Sequence, residues 1–377
     1  MNYSDFENSR IVSIGIPDAN ISNIYGRHWD AISTNIMGTH DLRSRFGTFP
    51  TPWGAKSGNL FTPPPFLHIS DSLKDLLDSR AIELSSIAKN SNKKIVIMWS
   101  GGIDSTTVVS AFIKNLNSQD LTNISICLTT ESILENANFY QKYIAPNFKC
   151  ISYYDMRVTD EFLSNNILLH GDPADCLFGP SLAMYTGETH QQLWKDNLSN
   201  IIKGIDNFNN HNTKPGFSEW YVNKITNNLL EVQPLGVDSV ADWWWWHYYN
   251  FKWEFSIWRP FFKGRYDIKD PISIANIESY VKNTFFNTDK FQQWSYSNLK
   301  THVGRNKQHH KKQAKQYIFE LDKNLEYFTT KVKVPSDPTR SHRVAMVMYY
   351  DKNWVGHYLT EPGVQETAIE LLESFTG

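Results

Sequence analysis

Cysteine is scarce in this sequence. Its 377 residues hold three, Cys127, Cys150 and Cys176, and none belongs to a Cys-x-x-Cys pair. An odd, sparse set argues against a disulfide framework and a cysteine-built zinc site, and suits a reducing compartment. Charge of one sign is also lacking: Lys and Arg total 37 against 39 Asp and Glu, a net charge of −2. Nothing global therefore draws the chain toward nucleic acid or a membrane surface. No apolar run approaches the roughly 18 residues a membrane span needs. The start, Met1-Asn2-Tyr3-Ser4, has neither the basic region nor the apolar stretch of a signal peptide. There is no internal repeat and no strong low-complexity tract. The expectation is a soluble, cytoplasmic, globular protein.

What is present fits that expectation. Hydrophobic residues make up 41% of the chain and aromatic ones 14%, so disorder is excluded and a large core can be buried. The length suits two domains or one large enzyme body. The first 90 residues read as an irregular covering segment, Pro- and Gly-rich from Phe46 to Phe66, ending in an amphipathic helix over Ser70 to Lys89. Residues 91–190 alternate strand and helix. Strands are expected over Lys94–Trp99, Asn123–Thr129, Cys150–Tyr154 and Asn166–His170, with helices over Asp104–Leu116 and Glu131–Tyr143. That alternation predicts an α/β fold of βαβ units around a parallel sheet with flanking helices. Ligands of such sheets bind outside the carboxyl ends of the strands. Residues 191–377 read as mostly helical, with a loop over Ile201–Gly216 and a last helix over Val364–Phe375.

The loop after the first strand reads Ser100-Gly101-Gly102-Ile103-Asp104-Ser105. Two glycines let the backbone approach an anion and aim N–H groups at it, Ser100 and Ser105 add hydroxyls, and the helix start adds its positive dipole end. With no Lys, this is not the Walker loop. Asp104 in a phosphate loop would repel its ligand unless a cation lay between, which makes it a candidate Mg²⁺ ligand; it also suits the start of the helix. The hexapeptide resembles the pyrophosphate loop (PP-loop) of the N-type ATP pyrophosphatases. The resemblance implies a Rossmann-like nucleotide-binding core that cleaves ATP between its α and β phosphates, adenylates a substrate oxygen and lets a nitrogen nucleophile displace AMP.

The fourth strand ends in Leu168-Leu169-His170-Gly171-Asp172-Pro173-Ala174-Asp175-Cys176-Leu177-Phe178-Gly179. This is similar to the Ser-Gly-Glu-Gly-x-Asp-Glu-Leu-Phe-Gly signature of asparagine synthetases and β-lactam synthetases. The match implies that Asp175 is the second Mg²⁺-binding aspartate and that Asp172 stands for the catalytic glutamate. It also implies that ATP is lined by His170 and Gly171, whose backbone lies along the nucleotide, and by the strand ends Met98 and Leu128. The same residues make a good helix start, with Asp172 as N-cap, Pro173 at N1 and Asp175 at N3. Three positions depart from the pattern: Asp172 for Glu, Pro173 for Gly and Cys176 for Glu.

Farther on, Thr330-Lys331-Val332-Lys333-Val334-Pro335 resembles a basic segment of the same family, and Lys333 aligns with the lysine that stabilises pyrophosphate and developing charge. Arg259-Pro260-Phe261 and the stretch from Phe285 to Trp294 loosely echo other segments of that domain. Residues 300–315 carry Lys300, Arg305, Lys307, Lys311, Lys312 and Lys315 with no acid. They read as a solvated helix face beside the phosphate site, or as a nucleic-acid footprint. Trp243 to Trp246 put tryptophan on every side of a helix, which must then be largely buried, either as core or as an aromatic wall for a substrate.

Glutamine-using asparagine synthetases carry a cysteine directly after the initiator methionine; here residue 2 is Asn and no Cys precedes Cys127. The resemblance therefore implies a synthetase-type domain without the glutaminase. The expected activity is an ATP- and Mg²⁺-dependent amide-forming ligase acting on a small carboxylate, with ammonia, an amine or a separate nitrogen-donating protein as partner. A base-modifying enzyme of nucleic acid and a non-catalytic ATP-binding subunit are the alternatives.

Overall fold

The computed structural model describes residues 44–46, 62–180, 191–208, 217–234, 236–261, 272–302, 310–329, 346–350 and 356–360. Lys331, Lys333, most of the Pro-rich segment and the helix expected over Val364–Phe375 lie outside them. The fold is α/β and mostly helical, and the chain divides into two compact units. One, the sheet unit, takes Ser72–Asp172, Gly264–Asn287 and Gln313–Gly377; the other, the tryptophan unit, takes Met1–Asp71, Pro173–Lys263 and Thr288–Lys312.

The sheet unit opens with α1 (Leu73–Asn90), whose N-cap Ser72 accepts the Asp75 N–H. Its buried face carries Leu76, Leu77, Ala81, Leu84 and Ala88 at helical spacing. Then follow β1 (Lys94–Met98), α2 (Ile103–Asn115), β2 (Ile124–Leu128), α3 (Thr130–Glu135), β3 (Lys149–Ser152), α4 (Asp160–Asn165) and β4 (Asn166–Leu169). The four strands form one parallel sheet in the order β3-β2-β1-β4. Ile95, Val96 and Ile97 of β1 and Ile167, Leu168 and Leu169 of β4 are at most 3% exposed, the pattern of strands covered on both faces. Among the described residues, α10 (Ile274–Asn283), α12 (Lys312–Asp322), α13 (Leu325–Thr329) and an antiparallel hairpin, Met346–Tyr350 with Gly356–Thr360, complete this unit. Arg80 of α1 is buried and donates to the carbonyls of Lys282 (2.9 Å), Thr284 (3.2 Å) and Phe285 (3.2 Å). It thereby satisfies carbonyls at the carboxyl end of α10, where no helical partner exists.

The helix expected over Glu131–Tyr143 is broken. α3 stops at Asn136, whose side chain accepts the Phe139 N–H at 3.4 Å and starts a new turn that passes into a π-turn over Tyr140–Ile144. Side chains of this type compete with the helical ladder for local N–H groups.

The tryptophan unit contains α5 (Ala174–Phe178), α6 (Leu198–Phe208), α7 (Phe217–Val232), α8 (Val240–Phe251), α9 (Trp253–Trp258) and α11 (Asp289–Ser297). α6 corrects the loop expected over Ile201–Gly216 as far as Phe208: Ile201 and Ile205, one turn apart, are fully buried, and this spacing outweighs the Asn-rich composition. Residues 209–216 lie outside the described set. α8 begins at a capping box between Ser239 and Asp242. Its four tryptophans are core, each 0% exposed. Two of the ring nitrogens reach partners within the unit: Trp243 Nε1 donates to Thr226 Oγ1 (3.2 Å) and Trp245 Nε1 to Ser295 Oγ (2.9 Å). Among the described residues no helix is long and apolar enough to cross a membrane.

His247 lies flat against Trp243, with ring planes 6° apart and centroids 5.7 Å apart, and its Nε2 is hydrogen-bonded to Tyr221 OH. Burial, assisted by the Lys252 charge, pushes its pKa from 6.5 down to about 3. The folded state thus favours neutral imidazole, so its contribution is complete above about pH 6.5 and falls as pH drops toward 3. Between pH 7.5 and 5 this group alone should remove about 2 kcal/mol of stability. Urea midpoints at the two pH values test this. His247→Phe should show a smaller difference between them than the wild type, and equal differences would refute the assignment.

Candidate functional site

The site is built on the carboxyl edge of the sheet unit. β1 is paired with β2 on one side and β4 on the other. The chain runs from β1 to β2 on one flank and returns from β3 to β4 on the other, and sheets of this topology bind ligands in a crevice above such strand ends. Met98 and Leu128, last residues of β1 and β2, are both part-exposed there. The loop leaving β1 begins at Trp99, whose ring nitrogen donates to Thr106 Oγ1 at 3.0 Å.

Gly101 has φ +73°, and a Cβ on it would lie 2.4 Å from the Ser132 carbonyl oxygen and 2.7 Å from Glu135 Cβ. Conformation and space both demand glycine. Its carbonyl accepts from Tyr327 OH of α13 at 3.0 Å, and burial pushes the Tyr327 phenol well above its ordinary pKa. Gly102 is the N-cap of α2 and has no side chain to cap with. The serines hold the loop instead. Ser100 N–H donates to Ser105 Oγ (3.0 Å), the two hydroxyls are 3.0 Å apart, and Ser105 Oγ donates to the Gly102 carbonyl (3.3 Å). Asp104 stands in the first turn of this helix, where the dipole favours a negative group and anions in general.

The loop leaving β4 meets this turn directly. A Cβ on Gly171 would lie 2.6 Å from Ser105 N and 2.8 Å from Asp104 Cβ. The two loops singled out in the sequence are therefore in contact, backbone against helix start. His170 is buried, at 4% exposure. Asp172 N–H donates to its Nδ1 at 3.2 Å, and its Nε2 is 2.7 Å from Tyr280 OH of α10. Because an N–H can only donate, Nδ1 is the unprotonated nitrogen and the ring proton sits on Nε2. Burial and the nearby Asp172 charge hold the Tyr280 phenol well above its ordinary pKa.

Asp175, on α5, belongs to the tryptophan unit. Lys311 Nζ stands 2.5 Å and Lys252 Nζ 3.2 Å from its carboxylate oxygens. Burial raises its pKa, but the charges of Lys311, Lys252 and Arg259 outweigh that and hold it well below the usual carboxylate range. A divalent cation at Asp175 would have to displace two ammonium groups, so this carboxylate does not fit the metal-binding role the resemblance implies. Among the described residues no three His, Cys, Asp or Glu side chains cluster in a way that would hold a metal ion. Asp104, in the first turn of the helix after the Ser-Gly-Gly loop, would fit the magnesium habit of one or two carboxylates plus substrate phosphates.

The basic run is not a uniformly solvated face. Lys311 and Lys315 are buried, at 5% and 9% exposure, and Lys300 pairs with Asp238 and Asp242. Arg305 and Lys307 lie outside the described residues.

The chain matches no family model, no curated protein and no solved structure. Tyr280 and Tyr327, which fix the two loops, escaped the sequence reading; Tyr280 has only the helical offset from Ile277 to mark it as inward-facing.

Glycine contacts give a direct test. Gly101→Ala and Gly171→Ala each force a backbone contact open and should cost about 2–4 kcal/mol in denaturant unfolding. Gly236→Ala, with φ +80° but nothing within 4 Å, should cost only about 1–2 kcal/mol. Equal losses at all three would disprove the close approach.

Proposed function

We propose that this chain is an ATP-dependent, amide-forming ligase of the asparagine synthetase type, built on a PP-loop ATP pyrophosphatase core. One observation carries the reading: the Ser-Gly-Gly-Ile-Asp-Ser turn and the His-Gly-Asp turn lie against each other on adjacent parallel strand ends, through a glycine whose Cβ would force the backbones apart. The two motifs, 65 residues or more apart in sequence, both resemble one family's signature, and parallel pairing brings them to neighbouring strand ends where a glycine of one lies on the helix start of the other.

In this reading Ser100, Gly101, Gly102 and Ser105 cradle the phosphates, and Met98, Leu128, His170 and Gly171 line the nucleotide. A carboxylate oxygen attacks the α-phosphorus; the α–β anhydride bond breaks and pyrophosphate leaves. Ammonia or an amine then attacks the acyl carbon, the C–N bond forms, AMP leaves with the carboxylate oxygen, and Asp172 takes the nitrogen's proton. Asp104 would hold the magnesium ion, whose charge offsets that of the leaving pyrophosphate. Lys333, outside the described residues, follows Tyr327 by six positions and would supply the remaining positive charge.

The capture of Asp175 by Lys252 and Lys311 favours a second reading, a nucleotide-binding subunit without the chemistry. Pyrophosphate exchange into ATP across a panel of small carboxylates separates the two. The ligase should exchange label with at least one acid and lose about 100-fold of that rate in Asp104→Ala. ATP binding without exchange would select the subunit, and neither binding nor exchange would reject both.

A further inference from the structure

The geometry points to Tyr280 and the His170 ring as positioning residues that aim Asp172, an assignment that rests on the ligase reading for what Asp172 does and on the structure for how it is held. The resemblance gives His170 only a backbone role, yet its ring is buried and used at both nitrogens. Nδ1 accepts the Asp172 N–H at 3.2 Å, and Nε2 stands 2.7 Å from Tyr280 OH. The Asp172 carboxylate itself is 3.7 Å from the same Nδ1, too far for a hydrogen bond. The ring therefore grips Asp172 by its backbone more closely than by its carboxylate.

The tautomer makes this a relay. Only an imidazole protonated on Nε2 presents a lone pair at Nδ1, and Tyr280, by accepting at Nε2–H, holds the ring in that form and orientation. The opposite side of the same turn is fixed by Gly171 against Ser105 and Asp104. Tyr280 is itself held through α10, whose carboxyl end Arg80 of α1 grips by three carbonyls. A three-residue turn is thus clamped on one side by the phosphate loop and on the other by a tyrosine 110 residues away. Loosening such a clamp displaces a reacting group without removing it, and small displacements of that kind cost about 10- to 100-fold in rate.

The test uses the full chain and two readouts. In ¹⁵N-histidine NMR spectra, the resonance lost in His170→Asn identifies this ring. It should show an unprotonated Nδ1 and a protonated Nε2, and the Nε2 signal should shift in Tyr280→Phe. A protonated Nδ1, or no shift, overturns the relay. In kinetics, Tyr280→Phe should bind ATP within about twofold of wild type, keep carboxylate-dependent pyrophosphate exchange, and slow the nitrogen-dependent step about tenfold. His170→Asn, which keeps an acceptor near the Nδ1 position, should retain more of that step than His170→Ala. Added to Asp172→Ala, Tyr280→Phe should cost nothing further; additive losses would make Tyr280 merely structural and overturn the assignment. If the wild type shows no ATP turnover, the ligase reading fails alone and the NMR signature decides the relay.

Discussion

The double pairing of β1 is the constraint on which the sheet unit depends. Parallel strands at about 4.8 Å spacing must deliver their following loops to the same edge. With β2 on one flank and β4 on the other, the turns after β1 and β4 become neighbours whatever their sequences. What the sequences then decide is how closely those turns approach. Gly101 lets one fold back against α3, and Gly171 lets the other lie on the first turn of α2. Neither contact stabilises much by itself. Together they place an uncapped helix start, two serine hydroxyls and two aspartates around one crevice.

The tryptophan unit solves a different problem. A helix with four consecutive tryptophans has no polar face to give to water, so its polar atoms must be satisfied from within. Thr226, Ser295 and Tyr221 are placed to do this, each one or more elements away along the chain. Arg45 is treated likewise: its guanidinium lies 4.3 Å from the centre of the Trp253 ring and donates to Gln292. Asp175 follows the same rule with charges, since Lys311 and Lys252, both nearly buried, hold it between them.

Much of the sheet unit was legible in the sequence because its signals are local. Short apolar runs gave all four strands to within two residues at either end, and the two motif loops fall where the strand ends put them. The burial of Trp243 to Trp246 was equally plain, since no helix face was left for solvent. Three things were not legible. The break at Asn136 turns on one side chain bonding its own backbone, which periodicity does not register. α6 hid behind asparagines that spacing, not composition, makes helical. The partners of the loops, Tyr280 and Tyr327, are chosen by tertiary packing across more than 100 residues, and no spacing rule spans that distance. The ion cluster of Asp175 is the sharpest example: the motif marks the aspartate, while nothing local marks Lys252 and the basic run makes Lys311 read as a solvated cation.

The separation of these partners along the chain also sets an order of assembly during synthesis. All four strands of the sheet and both turns have been made once residue 172 is reached. The hydroxyl that fixes His170 arrives 110 residues after it, and the one that holds the Gly101 carbonyl 226 residues after that glycine. Contacts of such separation form late, because the entropy of closing the intervening chain is spent before they return anything. A growing chain therefore owns the scaffold of the crevice long before its geometry. The Ser-Gly-Gly-Ile-Asp-Ser turn, the most recognisable feature of the sequence, is among the last parts of the unit to acquire its final shape.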